Sequence, residues 1–213
     1  MKMPLVAIVL TAVLALSAPA YSGATDGVKK TGVEAGLEAI ENENYEAARV
    51  AFTAAIGHGD PMGHYYLGAM HQGGLGGKRS EVKALENYRK AAEKGVREAE
   101  FAMGLFYQHG KAFLQKNPDT AVSWYTKAAK RGSASAMYNL GMMYATGEAV
   151  PVAQGSNPNY VKARGWFKIT RDAMDTEADK TRIDKIITEL EGHMTAGQKE
   201  LSDNFVADWK SKK

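Results

Sequence analysis

The chain has 213 residues, of which 45% are hydrophobic and 24% charged, and its formal net charge is +3 at pH 7. This apolar content is enough to bury the core of one or two domains. The absence of cysteine excludes a disulfide framework and a thiolate metal site. The small positive charge is too weak to indicate a nucleic-acid-binding protein.

The first 20 residues have the pattern of a secretory signal peptide. Lys2 supplies a short positive segment, residues 5–16 form an apolar run, and residues 18–20 are a small-residue cleavage site. Cleavage after Ala24 and an uncleaved anchor are the alternatives, although the run is shorter than the roughly 20 apolar residues that span a membrane. We therefore predict an exported protein, periplasmic rather than secreted, with a linker at 21–31.

Four regularly placed alanines mark an internal repeat. They lie 36, 37 and 42 residues apart and are Ala48, Ala84, Ala121 and Ala163. Each has an aromatic residue four positions later and a capping residue, Asn or Ser, four positions earlier, and the first three have a glycine eleven positions later. Since these offsets follow one face of an α-helix, the pattern predicts a helix that begins after the capping residue and ends at the glycine. Two of these terminal glycines are Gly95 and Gly132.

A second helix is predicted after each terminal glycine. Its marks are Gly68, Gly104 and Gly141, each preceded by Leu or Met. A glycine inside a helix costs about 1 kcal/mol relative to alanine. Its recurrence at one position therefore predicts that another helix packs against it.

Three runs share one pattern: "HYYLGAMHQGG", "AEFAMGLFYQHG" and "AMYNLGMMYATG", each followed by a run of the type "VKALENYRKAAEKG". They resemble the Sel1-like repeat, a relative of the tetratricopeptide repeat. The resemblance implies an all-α fold, a right-handed α-α solenoid of helix pairs. The three repeats would cover about 62–97, 98–134 and 135–175. A degenerate tetratricopeptide-like unit at 32–61 would precede them.

A C-terminal helical cap is expected at 176–213. Residues 176–194 carry Ile183, Ile186, Ile187 and Leu190 on one face. Thr195 and Gln198 form a capping box for a last helix that ends near Trp209. Such a segment covers the final repeat, as the end of a solenoid requires.

The loops and histidines give weaker signals. The glycine-rich loop at 72–79 lacks the strand and the Gly-Lys-Ser/Thr of a phosphate-binding loop. Phe113 and Leu114 either tuck under the repeat or form a contact patch, and the loop at 148–158 is about five residues longer than its equivalents. His64 and His71 share a helix face, but their spacing does not favour a metal site, and His71 takes the place of Tyr107 and Tyr144 in the other repeats.

A partner-binding groove is what the resemblance implies for the first helix of each pair. The expected groove positions are Tyr65, Gln72, Phe101, Leu105, Gln108, Tyr138 and Met142, with Ala69 and Ala145 among them. Apolar area and amides suit a peptide, and the lack of charge argues against an acidic or basic ligand at these positions. Core packing between units is the competing interpretation of the three aromatics.

No catalytic, cofactor-binding or metal-binding residue is predicted, because no nucleophile motif or ligand spacing is present. We expect a non-catalytic scaffold or adaptor for another envelope protein. The alternatives are a peptidoglycan or polysaccharide accessory protein, an enzyme acting on wall material, and a secreted factor that contacts a host.

Overall fold

A computed structural model describes residues 32–149 and 159–212. The predicted signal peptide, the linker and residues 150–158 of the long third loop lie outside this part of the chain. The described residues form ten α-helices and no strand, which confirms the all-α prediction. The helices are α1 (Gly32–Glu41), α2 (Tyr45–Gly57), α3 (Met62–Gly73), α4 (Glu81–Glu93), α5 (Arg97–His109), α6 (Pro118–Lys130), α7 (Ala134–Ala145), α8 (Tyr160–Asp172), α9 (Glu177–Glu191) and α10 (Ala196–Ser211).

The helices pack in consecutive pairs, and the chain divides into two compact units. The N-terminal unit comprises the described residues up to Phe106 together with Gly110–Leu114. The C-terminal unit comprises Tyr107–His109 and the described residues from Gln115 onward. The boundary therefore falls inside α5.

The helix starts predicted from capping residues are confirmed. In each case the capping side chain accepts a hydrogen bond from the backbone N–H three residues further on, over 2.9 to 3.3 Å. These residues are Asn44, Ser80, Asn117 and Asn159. At the other end, Gly95 and Gly132 follow α4 and α6 with φ of 80° and 90°, a conformation that glycine adopts without steric cost.

The glycine in the first helix of a pair makes room for an aromatic ring of the second helix. A Cβ atom at Gly68 would lie 2.8 Å from the ring of Tyr88, and one at Gly141 would lie 3.0 Å from the ring of Phe167. The prediction that another helix packs at these glycines is thereby confirmed. Gly36 of α1 stands in the same relation to Phe52 of α2, at 2.2 Å, so the leading unit repeats this contact.

One hydrogen bond closes the loop within each repeat, whatever the loop's length. The backbone N–H of the capping residue donates to a carbonyl near the end of the preceding helix, over 2.8 to 2.9 Å. The donor and acceptor pairs are Ser80 with His71, Asn117 with Tyr107, and Asn159 with Tyr144. His71 therefore occupies the position of the two tyrosines, as predicted, and the longer third loop begins and ends at the same fixed points.

The C-terminal helices both pack on α8. The predicted apolar face of α9 is confirmed, because Ile183 and Leu190 form a buried cluster with Ala163 and Phe167 of α8. The capping box is also present: the Thr195 N–H donates to Gln198 Oε1 at 2.8 Å, and the Gln198 N–H donates to Thr195 Oγ1 at 3.3 Å.

The guanidinium of Arg164 links α8 to both C-terminal helices. Its side chain is 8% exposed and donates to Glu191 at 2.6 Å, to Asp203 at 2.7 Å and to the Lys199 carbonyl at 3.2 Å. A buried charge with three such partners is fully compensated. The cap is thus fixed to the last repeat by a polar contact as well as by apolar packing.

Candidate functional site

The aromatics of the expected groove are largely occupied by packing within the protein. Tyr65 is only 7% exposed and has its ring centroid 5.1 Å from that of Tyr66 and 5.8 Å from that of Tyr88. The ring of Tyr138 contacts Phe167 edge-on, at 5.6 Å. Both contacts favour the core interpretation of these two aromatics.

The remaining groove positions are more accessible. Phe101 and Leu105 of α5 are half-buried, and Met142 of α7 is exposed. Their role in binding a partner stays a prediction.

The two glutamines of the expected groove hold the helices of a pair together. Tyr88 donates its hydroxyl hydrogen to Gln72 Oε1 at 2.7 Å, and Tyr125 does the same to Gln108 Oε1, also at 2.7 Å. Gln108 further donates to Glu148 at 3.0 Å. A buried tyrosine hydroxyl needs a hydrogen-bond acceptor. In the first two repeats the glutamine side chains supply that acceptor, so they stabilise the fold.

An open cleft of about 570 Å³ lies in the N-terminal unit, on a face of α3 other than the one that carries Tyr65 and Gln72. We call it the α2–α4 cleft. Three helices line it, each through residues that share one helical face. The residues are Glu46, Arg49, Val50 and Thr53 of α2, Leu67 and His71 of α3, and Lys83, Glu86 and Asn87 of α4.

The cleft combines an apolar strip with charged walls. Val50 is 62% exposed and Leu67 is half-buried, so apolar surface is accessible to a ligand. On one wall Arg49 pairs with Glu46 at 2.6 Å, and on the other Glu86 pairs with Lys90 at 2.8 Å. Exposed pairs of this kind contribute little to stability and are free to exchange partners.

His71 is the titratable group of α3 that lines this cleft. Burial lowers the pKa of His71, and the charges of Lys83 and Arg49 lower it further, against the opposing charge of Glu86. His64 lies on the same helix face, as predicted, with its Nδ1 atom 3.2 Å from Asn87 Oδ1. Among residues 32–149 and 159–212, no group of three or more potential ligands is placed to hold a metal ion.

A smaller pocket of about 170 Å³ continues the cleft toward the glycine-rich loop. We call it the glycine-loop pocket. It shares Arg49, Leu67, His71 and Lys83 with the α2–α4 cleft, and Gly76, Gly77 and Lys78 of the loop complete it together with Met70 and Leu75.

Phe113 is a separate exposed feature of the N-terminal unit. The side chain is 96% exposed, and the backbones of Ala112 and Phe113 have φ of 52° and 64°. Left-handed backbone at a non-glycine residue costs about 1 kcal/mol or more. Phe113 therefore does not tuck under the repeat, whereas Leu114 is half-buried, and a contact patch at this loop stays a prediction.

The cleft residues were not identified from the sequence, apart from His71. The residues at positions 46, 49, 50 and 53 have the i, i+3, i+4, i+7 spacing of one helix face, and an exposed valine stands among charged neighbours there. That pattern is also typical of a solvated helix face. Only the position of α4 in the structure shows that this face of α2 borders a cleft and is not simply a solvated helix face.

No helix in the described part of the chain is long and apolar enough to cross a membrane.

Comparison with known proteins identifies the repeat. The Sel1 repeat profile matches residues 61–96, 97–133 and 134–170, which are the pairs α3–α4, α5–α6 and α7–α8. A search of functionally curated proteins found no match.

The solved structures that are similar to the chain include two bacterial repeat proteins. A Sel1 repeat protein from Oxalobacter formigenes is 28% identical, with a TM-score of 0.61, and the match covers 75% of this chain. The protein c5321, a protective antigen of uropathogenic Escherichia coli with the same type of repeat fold, is 23% identical over 79% of this chain, with a TM-score of 0.44. The matches span 59% and 49% of those two proteins.

Proposed function

Since the chain belongs to the Sel1 repeat family, we propose that it is a non-catalytic adaptor of the bacterial envelope that binds a peptide segment or a helix of another protein. Sel1 repeats commonly act as protein-interaction scaffolds and are generally non-catalytic. The identity of the surface and of its ligand has to come from this chain's own residues, because repeat scaffolds of one fold bind unrelated partners.

The α2–α4 cleft is the observation that carries the proposal. It is open, and it offers accessible apolar surface from Val50 and Leu67 between charged walls. Protein interfaces combine an apolar centre with a polar rim in this way. A peptide or one face of a helix would place its apolar side chains against the strip and its polar groups against the walls.

The envelope location rests on the first 20 residues. A positive residue, an apolar run and a small-residue site in that order are recognised by the export machinery. Fractionation of cells that carry the full chain, with mass spectrometry of the purified protein, tests this. A periplasmic protein shortened by 20 or 24 residues supports export, and a full-length cytoplasmic protein contradicts it.

Site-specific photo-crosslinking in living cells tests the binding surface. Probes at Val50 and Thr53 report on the cleft, and a probe at Met142 reports on the expected groove while leaving the glutamine contacts intact. A probe at Lys130, exposed at the end of α6, is the control.

We expect one protein to be captured by both cleft probes and not by the control. Capture at Met142 alone would place binding on the expected groove instead. Silent probes at all three sites, in protein whose circular dichroism matches the wild type, would contradict the adaptor function.

A further inference from the structure

The lining of the glycine-loop pocket carries positive charge and no negative charge. Three cationic side chains, Arg49, Lys78 and Lys83, line it together with His71, and no carboxylate does. Its apolar walls are Leu67, Met70 and Leu75. A recess of about 170 Å³ with this lining suits a small anionic group attached to an apolar one.

Two of the three cations are not engaged in ion pairs. Within the described residues, neither Lys78 nor Lys83 has a carboxylate within ion-pair distance, whereas Arg49 shares an exposed pair with Glu46. The carboxylates that line the adjoining cleft, Glu46 and Glu86, pair with Arg49 and Lys90, so the recess keeps a positive lining that attracts an anion. Burial, and after it the charges of Lys83 and Arg49, lower the pKa of His71, whereas the charge of Glu86 opposes this.

The third repeat places an aromatic ring beside the equivalent lysine. There Lys162 takes the place of Lys83, and its ammonium nitrogen lies 5.0 Å from the ring centroid of Tyr144, which takes the place of His71. That cation is stabilised by the ring. In the first repeat an imidazole stands in place of that ring, and Lys83 and His71 both line the recess.

The loop that closes the pocket is fixed against α2. Gly76 has φ of 73°, and a Cβ atom there would lie 2.7 Å from Tyr45 Cβ. The Leu75 N–H donates to the Met70 carbonyl at 2.9 Å. Leu75 and Gly76 are therefore held in place at the edge of the pocket.

We propose that the glycine-loop pocket binds a carboxylate of the partner peptide, so that this chain recognises an acidic peptide segment with an apolar residue beside the acid. The acid would be a side chain or the C-terminal carboxylate. Because the pocket shares Arg49, Leu67, His71 and Lys83 with the α2–α4 cleft, the residue next to the acid would lie against Leu67 and Val50. This inference rests on the proposed function and specifies its ligand. It differs from the expectation for the groove residues of the first helices, where the lack of charge argued against an acidic ligand.

Selection from a random peptide library on the full chain tests the inference. We expect the selected peptides to carry Asp, Glu or a free C-terminus next to an apolar residue. Lys83→Glu is expected to weaken their binding, measured by fluorescence anisotropy, by about tenfold or more. Lys162→Glu makes the same charge change at the equivalent position of the third repeat and is expected to leave binding unchanged. Each peptide is measured as the free acid and as the amide, so that loss on amidation identifies the C-terminal carboxylate.

Three results would overturn the inference. Peptides that lose binding in Val50→Asp protein but not in Lys83→Glu protein would support the adaptor and contradict the carboxylate site. Inorganic phosphate that displaces the peptides at equal concentration would show a general anion site. A self-associated form, detected by sedimentation and abolished by Lys83→Glu, would show that a second copy of this chain occupies the pocket. If no peptide is selected and the cleft crosslinks are also absent, the adaptor function itself fails.

Discussion

The first and third repeats have the same framework and expose different surfaces. In both, a capping residue starts the second helix, a buried alanine and an aromatic ring face the first helix, and one backbone hydrogen bond closes the loop. In the first repeat, Glu86 and Asn87 of α4 line an open cleft. In the third, the equivalent Gly165 and Trp166 of α8 are buried, under the side chains of Phe205 and Trp209. The framework positions set the fold, and the residues between them decide whether a neighbouring helix closes the surface.

Among substitutions that distinguish the two repeats, the largest loss of stability is expected at Arg164. The equivalent residue of α4 is Leu85, which cannot form these ion pairs. Arg164→Ala removes the buried cation from Glu191 and Asp203, which keep only the exposed Lys199 at 3.9 Å and Lys168 at 2.7 Å. We expect a loss of about 3 kcal/mol, the low end for a broken buried pair because both carboxylates are partly exposed. Urea denaturation followed by tryptophan fluorescence measures it, since Trp166 and Trp209 are in contact. Lys168→Ala, which removes only the exposed partner of Asp203, is the control and should cost far less. Equal losses would show that Arg164 is not the main link.

The packing of α10 against α8 is expected to depend on Gly165. A Cβ atom there would lie 2.5 Å from the Phe205 ring, so Gly165→Ala should destabilise the protein by about 2 kcal/mol through overpacking. Glu86→Ala at the equivalent position of α4 borders open space and should change the free energy of unfolding by less than about 0.5 kcal/mol. If the two substitutions had similar effects, the comparison between the repeats would be wrong.

The contact between the two helices of a pair is polar in the first two repeats, where a tyrosine meets a glutamine, and apolar in the third, where Phe167 takes the place of the tyrosine. We expect the polar contact to be transferable to the third repeat. Phe167 is fully buried and faces no glutamine, because Ala145 stands where the first two repeats have Gln72 and Gln108. Phe167→Tyr should cost about 1 to 2 kcal/mol by burying a hydroxyl without a partner. Adding Ala145→Gln should recover part of the loss, as a double-mutant cycle in urea would measure. In the first repeat, Tyr88→Phe should cost about 1 kcal/mol. A cycle with no coupling would show that the amide–hydroxyl contact cannot be transferred between repeats.

The smallest effect is the contribution of Asp203, in the cap, to the pH dependence of stability. Hydrogen bonds from Lys168 and then Arg164 lower the pKa of Asp203, although burial opposes them. A carboxyl whose pKa is lower in the folded state stabilises the protein above its unfolded-state pKa, about 3.9. This contribution should therefore decline as the pH falls from about 4 through the lower folded-state value. Asp203→Asn should flatten that part of the stability profile, and an unchanged profile would assign the acid sensitivity to other carboxyls.

The sequence determined the helices and their pairing. Asn44, Ser80, Asn117 and Asn159 were recognisable as helix starts because capping is local chemistry, and Thr195 with Gln198 was recognisable for the same reason. Gly68 and Gly141 showed where a neighbouring helix packs, since a glycine is otherwise unfavourable in a helix. These signals act over a few residues or recur at a constant interval, so one chain is enough to identify them.

Only the tertiary structure decided which faces stay open. Tyr65 and Tyr138 fit a groove and a core equally well in the sequence, and the approach of Tyr88 and Phe167 puts them in contact with the core. Val50 and Lys83 lie on helices whose outer faces look alike in the sequence, yet they border a cleft because α2 and α4 leave space above α3. Side chains from separate helices meet or stay apart according to packing, and packing depends on residues far apart in the chain.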